Sequence, residues 1–375
     1  MSWNKVKLLE LVSTTKGKKH TEVDDTLANR YIQIEDLTGH ENPKFTNDKG
    51  VQVVSNDVII AWDGANAGKV GTKLKGIIGS TLARLRPLTV DINGTFLFRF
   101  LQSKESEIKS KRTGATIPHV NGPELRDLTI PLPPLPIQQK IAAILDQADA
   151  LRKKDQQLLE KYDELLQAVF YDMFGDPVRN EKGWDKVELK EISSEIVDCP
   201  HSTPVKAKKK TDYACIRTSE LKEGSIFWDS MQYVEASEYA KRVGRLIPKE
   251  GDIVYGREGS FGEAIIIPPY PKFCLGQRTM LFRPNYKKCN SLFLWAIVRS
   301  DYVYNQALRK NSGSTVGHVN VKDIKEFTVI LPSIEVQNKY SIIVANILDQ
   351  KRQAKQHVDQ SENLFQSLLQ RAFRG

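Results

Sequence analysis

Residues 113–136 read TGATIPHVNGPELRDLTIPLPPLP, and residues 312–335 read SGSTVGHVNVKDIKEFTVILPSIE. The second stretch begins 199 positions after the first, since 312 − 113 = 199. A chain that repeats itself folds the repeat twice, so the extent of the similarity decides the architecture. WNKVKLLEL at residues 3–11 matches WDKVELKEI at 184–192, and NDVIIAWDGANAGKVG at 56–71 has a looser echo in GDIVYGREGSFGEAI at 251–265. GSTLARLRP at 79–87 lines up with GQRTMLFRP at 276–284, and ILDQ (144–147, 347–350) and LLQAVF/LLQRAF (165–170, 368–373) follow in the same order. Solenoid repeats run about 20–50 residues, so this longer period marks a duplicated domain.

Short apolar runs at 31–34, 57–62, 253–255 and 264–267 are set between Gly, Pro and Asn turn signals and read as strands. Amphipathic stretches at 94–109 and 291–310 read as helices. The expected fold class is mixed α/β (α+β) with an irregular, loop-rich sheet in each copy. LPPLP at 132–136 ends the first domain, because proline donates nothing to a ladder and restrains the residue before it. A long helix follows. Ile137, Ile141, Ile144, Ala148, Leu151, Asp155, Leu158, Tyr162, Leu165 and Val169 step alternately by four and three, the spacing of a coiled-coil seam. The second copy keeps this register through Val336, Tyr340, Ile343, Ile347 and Ala354, with Leu364 and Leu368 near its end, but Gln350, His357 and Ser361 interrupt it.

Four segments follow: a first domain at 1–134, a connecting helix at 135–176, a second domain at 177–333 and a C-terminal helix at 334–375. If the helices lie antiparallel, the copies are related by a pseudo-twofold axis, the symmetry with which many proteins meet duplex DNA. Periodicity alone leaves two readings open: rods that pair and also present a surface to another protein, or a helical hairpin that buries only its own core.

The formal charge of +9 favours a polyanionic partner, although charge alone is a weak pointer. No apolar run approaches the roughly 20 residues that cross a bilayer, and MSWNKVKLLE has no apolar signal core, so a cytosolic location is expected. Cys199, Cys215, Cys274 and Cys289 include no C-x-x-C pair and read as reduced structural thiols; Cys199 with His201 does not make a metal site. GANAGKV at 64–70 is one residue short of a phosphate loop and ends in Val where a hydroxyl is needed. There is no Asn/Asp-Pro-Pro-aromatic motif for a target adenine and no glycine fingerprint opening a Rossmann unit. His119 and His318 recur in HVN, which duplication of a structural residue explains better than catalysis.

The boundary TGATIPHVNGPELRDLTIPLPPLPIQQKIAAILD at 113–146 resembles the junction of recognition domain and connecting helix in the specificity subunits of type I restriction-modification enzymes. Its second copy has lost the PLP knot but keeps Leu331, Pro332 and Gln337. VDCPHSTP at 197–204 and the 251–264 segment are similar to parts of that family's recognition domains. The resemblance covers essentially the whole chain. It implies two target-recognition domains joined by two antiparallel helices, each domain reading half of a split double-stranded DNA target while the helices set the gap. It also implies two methyltransferase subunits docked on the helices, ATP-dependent restriction subunits as further partners, no membrane, and no catalysis in this chain. S-adenosylmethionine, ATP and Mg would belong to the partners, with no cofactor here. A coiled-coil scaffold, or a specificity subunit of another DNA-modifying defence system, is the alternative.

Base edges are read by side chains that present donors, arginine against guanine above all. In the second copy the candidates are Arg257 and Ser260 in the glycine-rich turn, Arg278 in GQRT and Arg217 in CIRTSEL, with Lys208 and Lys209 as phosphate contacts or as a solvated run. In the first copy they are Trp62, Lys69 and Arg84, with Lys111 and Arg112 just before TGAT. Ile137, Ile141, Ile144, Leu151, Leu158, Tyr162 and Leu165, with Tyr340, Ile343, Ile347, Leu364 and Leu368, are the candidates for the helix seam and for partner binding.

Overall fold

The computed structural model describes residues 3–39, 42–259, 262–310 and 318–374. The chain divides into two compact units, one of Met1–Leu158 with Ala354–Gly375 and the other of Leu159–Gln353. Two 40-residue helices, Leu135–Phe174 and Ile334–Phe373, are each shared between the units. Each would be about 60 Å long.

In the first unit an antiparallel sheet has the strand order Val12–Lys16, Leu82–Pro87, Val58–Ala61, Val70–Thr72. Its strand VIIA is buried throughout, so the sequence shows a continuous apolar run rather than an alternation. A second sheet includes the parallel pair Tyr31↔Ile77. The helix Gly94–Ser103 packs beneath, its N-terminus capped by the Asn93 side chain, which accepts from Phe96 N at 3.0 Å. Phe96 and Phe100 on this helix meet Phe373 of the second long helix, with ring centroids 5.2 and 5.6 Å apart.

The second unit repeats the plan. Its four-stranded sheet runs Ser193–Asp198, Thr279–Pro284, Ile253–Gly256, Ala264–Ile266, and its helix Ser291–Val298 is capped by Asn290. Phe174 and Tyr340 close the core against each other, and Phe174 also packs on Phe293.

The repeated words are hydrogen-bonded neighbours. Lys5–Lys7 pairs antiparallel with Thr129–Pro131, and Asp185–Glu188 with Thr328–Leu331, so the first and last motifs of each copy close the domain on itself. A glutamine then fixes the exit of each long helix. Gln138, fully buried, accepts from Asn93 N at 2.9 Å and donates to Pro133 O and Asp91 O at 2.8 and 2.7 Å. Gln337, also fully buried, accepts from Asn290 N at 3.0 Å and donates to Pro332 O and Lys288 O at 2.8 and 3.0 Å. Each amide ties the helix start to the cap of the domain helix.

The helices run antiparallel within each unit. Leu145 and Ala148 pack with Phe365 and Leu369 in the first unit, and Asp163 pairs with Lys351 in the second. The periodic series of the first helix divides between two surfaces. Ala148 is buried and Ile141, Tyr162 and Val169 are half-buried, whereas Ile137, Ile144, Leu151, Leu158 and Leu165 are exposed at intervals of seven. The inner face uses Ala142, Leu145, Asp149 and Arg152 as well, so the helix carries a second apolar stripe beyond its own pairing. On the second helix Tyr340, Ile347 and Ala354 are buried, Leu368 is half-buried, and Ile343 and Leu364 are exposed. Ser361, an interruption in the apolar pattern, is buried with its hydroxyl donating to Val358 O at 3.2 Å.

Candidate nucleic-acid interface

In both units the loops at one end of the main sheet are drawn together by backbone hydrogen bonds. In the first unit Trp62 N and Asp63 N donate to Thr81 O at 2.7 and 3.2 Å, Gly64 N donates to Pro118 O at 2.9 Å, and Val120 N donates to Trp62 O at 2.9 Å. The loop turns at Gly64 and Gly68, whose φ values of 91° and 95° suit glycine. The Asp63 carboxylate contacts His119 Nδ1 at 2.6 Å and Lys16 Nζ at 2.5 Å. Burial opposes its ionisation, yet Lys16 and His119 hold the carboxyl below the ordinary range. The recurring histidine therefore clamps the HVN segment to the glycine-rich loop.

The second unit has the same clamp in other residues. Val319 N donates to Arg257 O at 3.1 Å, as Val120 N does to Trp62 O, so Arg257 stands where Trp62 stands. Glu258 replaces Asp63, with Oε2 3.5 Å from His318 Nδ1 and Oε1 3.1 Å from Arg278 Nε. Arg257 is buried, its Nε donating to Asp198 Oδ1 at 2.9 Å, and His201 Nε2 lies 3.2 Å from the same carboxylate. Arg257 N donates to Arg278 O at 3.0 Å. Arg278 adopts φ 68° and leaves 56% of its side chain exposed. Arg217 joins them: its Nη2 donates to Glu220 Oε1 at 2.6 Å, and a Cβ on Gly276 would come within 2.3 Å of its Cγ. The strand pairing that places Gly276 beside Ile216 thus brings Arg217, Arg257 and Arg278 to one turn.

The remaining candidates lie differently. Ser260 lies outside the described residues. Lys69 is half-buried in the glycine-rich loop, and Arg112 Nη1 donates to Ala65 O of that loop at 3.1 Å. Arg84 is turned into the fold, donating to Gln52 O at 2.8 Å and to Thr15 Oγ1 at 3.3 Å, and burial followed by the nearby Arg86 pushes its pKa down. Lys111 is held by Glu124 and Glu107 at 2.9 and 3.2 Å. Lys208 and Lys209 are exposed, in a segment tied by Ala207 N to Tyr233 O at 2.8 Å, on the three-stranded sheet.

Sequence reasoning does not single out Lys16, Lys18 and Lys19, yet they are exposed at the same sheet end of the first unit, anchored by the Lys16–Asp63 pair. The signal is the K-G-K-K run at the end of a strand. It misses Gln277 too, whose Nε2 donates to His201 O at 2.8 Å beside Arg278. Among the described residues no group of three or more His, Cys, Asp or Glu could hold a metal ion, and no helix is long and apolar enough to cross a membrane. Cys199 is buried, and burial raises its thiol pKa.

The family model for the type I restriction modification DNA specificity domain matches residues 2–161 and again 181–359. The chain belongs to that family. The two matches coincide with the duplication, and the chain is therefore a specificity subunit, the non-catalytic DNA-recognition component of a type I restriction-modification system. It is 26% identical over 391 residues to the type I restriction enzyme MjaVIII specificity subunit of Methanocaldococcus jannaschii, covering 98% of this chain and 92% of that protein. Its fold is similar to the crystal structure of the S subunit of the type I restriction-modification system from M. genitalium, with TM-score 0.66, 16% identity, and coverage of 100% of this chain and 97% of that one. A chain from a structure described as showing complex assembly and conformational transition of the type I R-M system matches with TM-score 0.57 and 19% identity, covering 100% of this chain and 98% of that one.

Proposed function

We propose that each unit of this specificity subunit reads one half of a bipartite DNA target and that the two long helices set the gap between the halves and dock methyltransferase subunits. The observation that carries this reading is the matched sheet end of the two units, where one histidine–carboxylate clamp holds Trp62 in one copy and Arg257 in the other. A shared scaffold with different side chains at matched positions suits two readers of different half-sites. Arg278 offers a bidentate donor to a base edge, and Lys16, Lys18 and Lys19 supply phosphate contacts.

The stripe Ile137, Ile144, Leu151, Leu158, Leu165 is the surface for a methyltransferase partner, because a contiguous apolar ridge exposed at heptad spacing leaves its burial to another chain. S-adenosylmethionine, ATP and Mg belong to the methyltransferase and restriction partners, and the complex works in the cytosol.

The test is to express this chain with and without an adenine methyltransferase subunit from the same system and to map modified adenines by long-read sequencing. Two short half-sites with a fixed gap, modified only when both chains are present, are expected. A stable complex that modifies no adenine, or a target that is not split, overturns the reading.

A further inference from the structure

Three arginines meet at one turn of the second unit, and their surroundings separate them. Arg217 is committed within the fold: Nε and Nη2 donate to the Glu220 carboxylate at 3.2 and 2.6 Å, and Nη2 also reaches Ser230 O at 3.3 Å. Arg257 gives Nε to Asp198 Oδ1 at 2.9 Å and keeps only 6% of its side chain exposed. Arg278 has its Nε 3.1 Å from Glu258 Oε1, yet 56% of its side chain is open to solvent. Of the three, Arg278 alone combines an anchored inner nitrogen with a largely exposed side chain.

The backbone around Arg278 is fixed on both sides. Arg257 N donates to Arg278 O at 3.0 Å, Cys199 N to Thr279 O at 3.2 Å, and the buried Thr279 hydroxyl to Gly276 O at 2.9 Å. Held in this way, Arg278 adopts φ 68°, a left-handed conformation that side chains other than glycine rarely take. Such strain persists only where the surroundings over-determine it, and it gathers at binding sites. Glu258 is fixed as well: its backbone bridges to that of His318, and its Oε2 lies 3.5 Å from His318 Nδ1. One carboxylate therefore joins the recurring histidine to the arginine.

The first unit has the carboxylate but not the arginine. Thr81 stands where Arg278 stands (278 − 197 = 81), since Trp62 N donates to Thr81 O as Arg257 N does to Arg278 O. Asp63, at the place of Glu258, is taken by Lys16 and His119. We infer that Glu258 is a positioning residue that aims Arg278 at a guanine in the half-site of the second unit, a contact without a counterpart in the first; this rests on the proposed reading of a split target. A carboxylate at Nε leaves the Nη1 and Nη2 N–H groups side by side, a match for the O6 and N7 acceptors of guanine. Adenine offers N7 beside an N6 donor and accepts only one of them. Without Glu258 the long side chain regains rotamer freedom and reaches phosphates as readily as bases.

The test uses the full chain assembled with a methyltransferase subunit from the same system, and duplexes carrying the mapped target. Each guanine is replaced in turn by 7-deazaguanine, which lacks the N7 acceptor. With the parent chain, one replacement should weaken binding about tenfold, and Arg278→Ala should abolish that penalty. Glu258→Gln should shrink the same penalty to about twofold, and the double variant should behave as Arg278→Ala alone. A Glu258→Gln chain that keeps the full penalty overturns the positioning role. So does a Glu258→Gln chain with a lower thermal midpoint and equal losses at every base, because a merely structural residue would act that way. A target with no guanine whose penalty depends on Arg278 overturns the base contact. All three results can occur with the split target intact, whereas a target that is not split overturns the proposed function itself and this inference with it.

Discussion

Arg152 Nη1 on the first long helix donates to Glu362 Oε2 on the second at 2.9 Å. Adding 199 to 152 gives 351 and subtracting 199 from 362 gives 163, and Lys351 and Asp163 form the matching pair in the other unit. The same offset relates Gln138 to Gln337 and His119 to His318. The helices are thus equivalent residue for residue at 199. The two ILDQ words stand at 347 − 144 = 203, four residues out of step with that equivalence. Four residues is about one helical turn, so the slipped match still puts similar letters on the same face.

Arg152 also belongs to an ion cluster that makes the first unit sensitive to acid. Burial opposes ionisation of Asp149, but Arg152, Arg99 and Lys153 overcome it and hold its carboxyl below the ordinary range. Asp146 is lowered against burial by Lys73 and Arg99. Carboxylates with depressed folded-state pKa values contribute stability that is complete above the unfolded value of about 4 and is lost as pH falls through the folded values. The thermal midpoint should drop between about pH 5 and pH 3, and Asp149→Asn should flatten that slope. A midpoint that stays level across this window would show that the cluster contributes nothing.

Gln138→Leu removes the partner of Asn93 N, Pro133 O and Asp91 O at once. The three groups are left under the start of the helix, so the expected loss is about 1–3 kcal/mol in urea denaturation. Gln337→Leu should behave alike in the second unit. A variant as stable as the parent would mean that these bonds do not anchor the helix.

The duplication, the long helices and the buried strand VIIA are legible because each leaves a local pattern: a repeated word, a heptad, an apolar run. Asn93 and Asn290 are legible in principle as caps. Pairings that cross the chain are not. Nothing near Asp63 announces Lys16 or His119, which come 47 residues before and 56 after it. Arg84 and Arg257 look alike as cations near the turns of the repeat, yet the fold directs the first toward Gln52 and locks the second onto Asp198. The heptad count locates an apolar series but cannot say that half of it faces away from the partner helix.

Leu151 and Leu158 are 47% and 43% exposed, so replacing both by Glu should change stability by less than about 1 kcal/mol. Assembly with a methyltransferase should nevertheless fail, because the ridge would carry charge into an apolar contact. Light scattering of the mixed subunits reads assembly and thermal melting reads stability. Loss of both together would place these leucines in the folded core instead.

Arg278 and the lysines should be separable by what they change. Arg278→Ala should relax one base position of one half-site and cost about 1–3 kcal/mol of discrimination. Lys18→Ala with Lys19→Ala should weaken binding uniformly and lower the slope of log affinity against log salt by roughly one for each phosphate left without its lysine. Methylation mapping and salt-dependent binding distinguish the two. An Arg278 variant that alters only the salt slope would make it a phosphate contact.

The ruler idea has a test set by where the units divide. The first helix passes from one unit to the other between Leu158 and Leu159, and the second between Gln353 and Ala354. Every matched pair, such as Arg152–Glu362 and Asp163–Lys351, lies wholly within one unit. Four residues inserted at both points therefore preserve all of these pairings while lengthening each helix by about 6 Å. The modified target should keep both half-sites and widen its gap by about two base pairs, at roughly 3.4 Å per pair. Insertion at only one point should instead set the helices out of register and reduce stability. A doubly inserted chain that is stable, assembles and still modifies the original spacing would show that the helices do not measure the gap.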